Sequence, residues 1–284
     1  MGEVRSDPHL NIFEISGLAW ATTVNKAAAV LAAEPGGFAS AAEVLAAGAA
    51  GELSPEDTRM VDAELARAGI VDAAGSISAP WVLAVWTSAF APIKVTAVTQ
   101  TGLESSHCEL GLAGGRGVAV SYRRRLSRAT ALGAEVAEAR NAVEISFFRA
   151  EDAWAAAARS LPAMPELHAA PAGATGFNGE RTALPLGAAD ASSPTAVTDG
   201  VPAAIAHARC TVRLGVASSD PGSGRTRYSA AVWALADRLY SLRTEPGTEN
   251  LSAVHVPAGD VGRDFAWRIL GAREFLASSA TQAA

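Results

Sequence analysis

Two six-residue stretches with apolar side chains at alternate positions begin similar series of elements in this chain: His107-Cys108-Glu109-Leu110-Gly111-Leu112 and Arg209-Cys210-Thr211-Val212-Arg213-Leu214. A period of two is typical of a β-strand with one buried face. Each stretch leads into Gly-rich turns, further alternating segments and a final amphipathic helix. We therefore predict two meander-plus-helix units that repeat each other, with two ordinary, unrelated meanders as the alternative.

The two units differ in detail. The first begins at Ile93 and is predicted to contain five strands, the last two at 131–137 and 142–148, before a helix that starts at Glu151. In the second unit we predict strands that begin at Cys210, Tyr228, Leu239 and Leu251, and a helix over 261–276. Both patterns are typical of antiparallel meanders that end in a helix.

The residues before and between the units have different patterns. A short strand at 11–16 is followed by helices at 18–33, 38–47 and 81–89. The clearest helix start is Ser54-Pro55-Glu56-Asp57, where Ser54 caps a backbone N–H group and Pro55 suits the first helical position. Between the units, 162–206 is rich in Ala, Gly, Pro, Ser and Thr. This composition predicts a linker with one short helix at 201–208.

We interpret the chain as a single α+β domain with a central, mostly antiparallel sheet. Its predicted parts are an N-terminal strand and helices at 11–92, a first sheet unit at 93–161, a linker at 162–208, a second sheet unit at 209–276 and a tail at 277–284.

The composition is that of a globular protein, because 49% of the 284 residues are apolar and 18% are charged. The formal net charge of −6 argues against nucleic acid as the main partner, since phosphate binding needs a basic face. Lys26 and Lys94 are the only lysines, so the basic residues are almost all arginines.

Nothing in the sequence predicts export or membrane insertion. Residues 1–9 are polar and do not resemble a signal peptide. The longest apolar stretch, at 79–93, is interrupted by two prolines, whereas a membrane-spanning helix needs about 20 apolar residues. Two cysteines cannot form a disulfide framework. We expect a soluble, cytoplasmic protein.

No common catalytic or phosphate-binding motif occurs, and we predict no enzyme activity, no cofactor and no metal. His107 and Cys108 are neighbours, but adjacent strand residues point to opposite faces and do not chelate one ion without distortion. Cys108 and Cys210 are predicted to be small buried apolar residues. Arg123-Arg124-Arg125 with Arg128 either binds an acidic partner or, more simply, forms a solvated strand end.

Several stretches carry a family resemblance: the opening strand and helix at 11–24, the phrase Ala63-Glu64-Leu65-Ala66-Arg67-Ala68-Gly69-Ile70-Val71-Asp72 followed by Gly75, Phe90-Ala91-Pro92, and the final hairpin, strand and helix at 228–270. In their order over 11–276 they resemble the EspG family, the cytosolic specificity chaperones of actinobacterial type VII secretion. The resemblance implies an α+β fold whose two sheet units are related by a pseudo-twofold axis.

The same resemblance implies a function without catalysis. Members of the family bind the exposed hydrophobic tip of the PPE protein in PE–PPE substrate dimers, shield it from aggregation and deliver the substrate for secretion. We therefore expect a helical PE/PPE- or WXG-like secretion substrate as the partner of this chain.

In the family, binding uses the loop between the first two long sheet strands and a helical bundle between the sheet units. These regions correspond here to 101–106 and 162–206. We predict Leu103 as an apolar contact and Glu104 as a polar contact at its rim. The full set of predicted partner-binding residues is Thr101, Gly102, Leu103, Glu104, Ser105, Val201 and Ile205.

Two other functions stay open at this point. One is a small-molecule-binding protein or enzyme with a cleft between the two halves, which a polar pocket with Asp, Glu or His of shifted pKa would favour. The other is a homodimer that forms through exposed strand edges and has lost substrate binding.

Overall fold

The computed structural model describes residues 10–34, 39–47, 53–130, 133–169, 179–184, 201–244 and 251–283. Its helices are α1 (Gly17–Ala33), α2 (Ala39–Ala47), α3 (Pro55–Arg67), α4 (Ala79–Phe90), α5 (Ala153–Ala158), α6 (Pro165–His168), α7 (Val201–Ala206) and α8 (Asp260–Ala283). Its strands are β1 (Leu10–Ile15), β2 (Ile93–Thr101), β3 (Glu104–Ala113), β4 (Arg116–Thr130), β5 (Gly133–Arg149), β6 (Arg181–Leu184), β7 (Cys210–Ser219), β8 (Thr226–Leu235), β9 (Leu239–Thr244) and β10 (Leu251–His255).

The ten strands form one sheet in the order β1-β5-β4-β3-β2-β7-β8-β9-β10-β6. β1 pairs antiparallel with β5, and β6 pairs antiparallel with β10. The order therefore contains the same pattern twice: a four-stranded meander whose last strand is joined by a strand from earlier in the chain. The predicted α+β class with a large antiparallel sheet is confirmed, and the strand order follows the predicted repeat.

By its internal contacts the chain divides into two compact units. Unit 1 comprises Met1–Lys94, Glu109–Tyr122 and Arg140–Ala153, and unit 2 comprises Val95–Cys108, Arg123–Ala139 and Trp154–Ala284. The long strands of the first meander contribute to both units.

In unit 1, one carboxylate joins α3 to the start of α1. Ser16 caps α1 by accepting a hydrogen bond from the Ala19 N–H group. The backbone N–H and the hydroxyl of Ser16 both donate to the Glu64 carboxylate, at 2.7 Å each. These contacts hold the β1–α1 junction against α3, beside the buried Leu65. Glu64 and Leu65 belong to the phrase that carried the family resemblance, and here they have a structural role.

The start and the end of α3 lie at the residues that the sequence predicts. Ser54 caps α3 by accepting from the Asp57 N–H group, as predicted. Gly69, with a φ of 67°, ends the helix, and Ile70 returns a hydrogen bond to the Leu65 carbonyl. Asp72 then accepts from the N–H groups of Ala74 and Ser76 and closes a tight turn.

In unit 2, α8 packs on β7. The residues Cys210, Val212, Leu214, Val216 and Ser218 are all buried, so every second residue of β7 faces the core. On α8, Phe265 packs against Trp154, with ring centroids 5.4 Å apart. The sequence predicts this face of α8 correctly because its apolar residues follow the helical period.

Three predictions about elements are wrong. The separate strands at 131–137 and 142–148 are one 17-residue strand, β5, because no Gly or Pro interrupts 134–149. The loop at 101–106 is a two-residue turn, since β3 already begins at Glu104. The segment 162–206 contains α6 and β6 as well as α7, which ends at Ala206 instead of 208. The remainder, 170–178 and 185–200, lies outside the described residues.

The cysteines and lysines lie within elements. Cys108 and Cys210 are buried, as predicted, and neither forms a disulfide. Lys26 lies on α1 and donates to the Gly75 carbonyl at 3.2 Å, while Lys94 is exposed on β2. In the parts of the chain that the structure describes, no helix has the length and apolar character needed to cross a membrane.

Candidate partner-binding surface

The β2–β3 turn consists of Gly102 and Leu103. Gly102 has a φ of 59°, in the left-handed region where glycine has no steric penalty. Thr101 is half-buried at the end of β2, Glu104 is exposed at the start of β3, and Ser105 is half-buried. The structure thus brings the five predicted loop residues together in one tight turn.

Leu103 is the apolar residue that this turn presents to solvent, with 49% of its surface exposed. Its backbone is fixed, because its carbonyl accepts a hydrogen bond from the Leu126 N–H group at 2.7 Å. The Gln100 side chain donates to the neighbouring Gly102 carbonyl at 3.4 Å. The exposed side chain therefore extends from a backbone that is held in place on both sides.

The two predicted residues of α7 belong to a short helix that packs on the second meander. Ile205 is half-buried and packs against the cluster of Ala236, Tyr240 and Ala253. It therefore anchors α7 to the second meander, and only part of its surface is exposed. Val201 is the first residue of α7, and its side chain lies outside the described residues.

Cys210 lies next to the end of β2 in the sheet and shortly after α7 in the chain. It begins β7 four residues after α7 ends, and it pairs with Leu235 on β8. Burial raises the pKa of the Cys210 thiol, and hydrogen bonding with Thr101 and with the Gln100 backbone opposes this shift. The end of β2 and the start of β7 are thus neighbours, so the turn and α7 lie at one end of the sheet within unit 2.

An extended hairpin lies beside the turn, and the sequence pattern predicts only part of it, as a separate strand at 131–137. Beyond Leu126, which binds the Leu103 carbonyl, β4 continues to Thr130 and β5 returns from Gly133. Ser127 donates to the Glu135 carbonyl at 3.4 Å across this hairpin, and residues 135–139 are all exposed. We call the described residues of this hairpin, 127–130 and 133–139, the hairpin arm.

The arginine cluster lies on β4, next to the hairpin arm. Arg123 and Arg125 are exposed and Arg124 is half-buried, while the side chain of Arg128 lies outside the described residues. Positive side chains therefore precede the arm on β4, and Glu135 and Glu138 follow on β5. The β4 side of this hairpin is therefore basic, while the β5 side carries both signs, since Arg140 follows Glu138.

Four described groups have a clearly shifted pKa, and each shift has a local cause. Cys210 is one of them. The pKa of Glu166 is lowered by a hydrogen bond from the Glu166 backbone and by one from Arg209. The pKa of Asp220 is lowered by a hydrogen bond with Ser223. Burial and Asp237 raise the pKa of Tyr240. None of the four lines the groove of about 580 Å³ against α4 in unit 1 or the groove of about 250 Å³ against α8 in unit 2.

Metal-ligating residues are scattered in the described part of the chain, where no group of three or more His, Cys, Asp or Glu side chains could hold an ion. The sequence prediction that His107 and Cys108 point apart agrees with their burial, since Cys108 is buried and His107 is half-buried.

Comparisons with known proteins gave a distant structural similarity. No family model matches the chain, and no curated protein matches it. Among solved structures, the chain is similar to the Mycobacterium tuberculosis type VII secretion system chaperone EspG5, solved in complex with the PE25-PPE41 dimer. The TM-score is 0.48 at 11% sequence identity, and the match covers 87% of this chain and 91% of that chain.

Proposed function

We propose that this chain is a non-catalytic, cytoplasmic chaperone or adaptor for a helical, PPE-like or WXG-like secretion substrate. It shields the apolar tip of that substrate and delivers it for export. The proposal takes its partner class from the family resemblance of the sequence. The observation that carries it in the structure is Leu103, a half-exposed leucine fixed at the tip of a tight turn.

A fixed apolar side chain suits the capture of an exposed helical tip. Burying the exposed half of a leucine side chain contributes about 1 kcal/mol, half of what burial of the whole side chain contributes. Because the turn is already ordered by Leu126 and Gln100, little conformational entropy is lost on binding. Interfaces of this kind depend on a few apolar anchors within a polar rim. In this proposal Leu103 is the apolar anchor, and Glu104 is a polar contact at the rim.

The hairpin arm supplies further contact area beside this anchor. The β2–β3 turn is short, and the arm continues past it from Leu126. The charges on and beside the arm, with Arg123 and Arg125 before it on β4 and Glu135 and Glu138 within it on β5, can select and orient a partner. We include this arm with the seven predicted residues as part of the binding surface.

The first experiment is a pull-down of the tagged full chain from its native cytosol, with mass spectrometry of the bound proteins. We expect small helical secretion substrates in near-equal amount with the bait. Light scattering on the purified chain, alone and with the recovered partner, then gives the mass of each species and tests for a homodimer.

A matched pair of variants tests the site with the recovered partner. Leu103→Asp places a charge at the proposed anchor, and Leu270→Asp makes the same change at a leucine of similar exposure, 45%, on α8. Both positions are exposed, so both variants should fold. We expect Leu103→Asp to weaken binding at least tenfold and Leu270→Asp to leave it unchanged. Equal affinity of the two variants would refute the placement, and an empty bait would refute the proposed function.

A further inference from the structure

The groove against α4 is distinct from the β2–β3 turn and lies within unit 1. It has a volume of about 580 Å³, within the range typical of sites for small molecules. One wall is α4, with Pro80 and Leu83, and the floor is formed by Val118 on β4 and Phe147 on β5. We call it the α4 groove.

The apolar side of the α4 groove is preformed. Leu83 is 50% exposed and covers the rim from α4. The Phe147 ring is held edge-on against Trp81, with centroids 5.0 Å apart, and against Phe13, with centroids 5.6 Å apart. Phe13 and Trp81 also contact each other at 5.0 Å, so three aromatic rings fix the floor. The Phe147 ring that an apolar ligand would contact is therefore held by two neighbouring rings.

Two arginines line this groove from neighbouring strands. Arg116 begins β4 and Arg149 ends β5, and the strands are tied there by a hydrogen bond of 2.9 Å from the Ala150 N–H group to the Gly115 carbonyl. Both side chains are exposed and line the groove. Glu151 lies 3.6 Å from Arg149, but this pair is exposed on both sides and therefore weak.

The charge of the α4 groove is opposite to that of the chain. Its described lining contains Arg116 and Arg149 and no Asp or Glu, whereas the chain has a net charge of −6. Besides these arginines, only Asn11 and Thr87 bring polar side chains to the lining. A peptide would need partners for a donor and an acceptor at every residue. The lining fits a ligand with one anionic group and a long apolar remainder.

We propose that the α4 groove binds a medium-chain acyl carboxylate. The acyl chain lies along Leu83, Val118 and Phe147, and the carboxylate accepts hydrogen bonds from Arg116 and Arg149. A planar guanidinium presents paired N–H donors that match a carboxylate. This inference goes beyond the proposed chaperone function and uses none of the residues assigned to it.

Three probes separate the contributions of the charge and the chain. Isothermal titration calorimetry of the full-length protein with decanoate should show saturable binding at one site. Decanol, which keeps the chain and lacks the charge, should bind at least tenfold more weakly. Acetate, which keeps the charge and lacks the chain, should show no binding. Decanol binding as tight as decanoate, or no saturation with decanoate at millimolar concentration, would overturn the proposal.

Variants then place the site. Arg116→Gln combined with Arg149→Gln should weaken decanoate binding at least tenfold and leave decanol binding unchanged. Arg123→Gln, which removes an exposed arginine of β4 outside the groove lining, serves as the control and should bind decanoate like the wild type. Leu83→Asp should abolish binding of decanoate and decanol alike. Unchanged decanoate affinity in the double arginine variant would refute the site, and Leu103→Asp should leave decanoate binding intact whatever its effect on the protein partner.

Discussion

One buried carboxylate stabilises the start of α8. The Asp260 carboxylate, 4% exposed, accepts a hydrogen bond of 2.9 Å from the Trp233 indole N–H group and pairs with Arg263. Trp233 is among the largest fully buried side chains. Without the Asp260 carboxylate, the buried Trp233 N–H group would have no partner and its desolvation cost would not be offset.

The first prediction concerns this carboxylate. Asp260→Ala should lower the free energy of unfolding by about 2–3 kcal/mol, because it leaves the Trp233 N–H group unpaired and removes the partner of Arg263. Urea denaturation measures the change. The control is Asp62→Ala, where a 57% exposed carboxylate lies 4.0 Å from Lys26 and the loss should stay below about 0.5 kcal/mol. Equal losses in both variants would show that the Asp260 contacts do not stabilise the fold.

A second residue, Cys210, makes stability depend on pH. Burial raises the pKa of its thiol, so the folded protein holds this proton more tightly than the unfolded chain does. The contribution of this thiol to the free energy of unfolding is therefore complete below the pKa of the unfolded thiol, about 8.5. It declines as the pH rises from there to the pKa of the folded protein.

We therefore expect the free energy of unfolding to fall as the pH increases above about 8.5. Cys210→Ala lacks this titration and should lose less stability over the same interval. Urea denaturation at a series of pH values, compared between the two proteins, measures the difference. Parallel stability profiles above pH 8.5 would contradict the assignment of the effect to Cys210.

At the scale of elements, the β2–β3 turn depends on one glycine. Gly102→Ala should lower the free energy of unfolding by about 1–2 kcal/mol, because an L-residue at a φ of 59° is strained. Gly222→Ala is the control: this glycine lies in the exposed turn between β7 and β8, outside the left-handed region, and an added Cβ would lie 3.4 Å from an Asp220 oxygen. Its effect should stay within about 0.5 kcal/mol. A loss as large at Gly222 would mean that the strain is not specific to Gly102.

Elements with local signals were predictable from the sequence, and those with distant partners were not. Ser54 and Pro55 predicted the start of α3, and alternation predicted β7 to β10, because caps and periodicity are properties of neighbouring residues. β6 was missed, since its four residues gain their strand conformation from pairing with β10, far later in the chain. The predicted break in β5 between 137 and 142 is wrong, because 138–141 continues the strand although its small and polar residues do not alternate with apolar ones.

The same distinction applies to the proposed surfaces. The exposure of Leu103 follows from its place in a turn, which the sequence indicates. The packing of Ile205 against Tyr240 depends on which face of α7 meets β9, and six residues of helix do not specify that. The α4 groove collects side chains from α4, β1, β4 and β5, so no local pattern predicts it.

At the scale of the whole molecule, the two lysines provide a test of global stability. Lys26 lies within α1 and Lys94 within β2, and neither is in a loop of the described structure. A lysine-specific protease should therefore leave the native chain intact and cleave it only when it unfolds, because proteases need an extended, unpaired backbone. The cleavage rate should rise with urea in parallel with the unfolding constant. Rapid cleavage at Lys26 or Lys94 without denaturant would show local opening of α1 or β2.

The pairing of β1 with β5 has a consequence for how this protein is made. Leu10 leaves the ribosome well before its partner Phe148, which follows only after nearly the whole of the first meander has been translated. At about 5–20 residues per second, β1 waits on the order of ten seconds for its neighbour. During that time Leu10, Ile12 and Ile15, all buried in the finished sheet, remain exposed on the nascent chain. The first meander therefore stays incomplete, with the apolar side of β1 unprotected from aggregation, until β5 has been made.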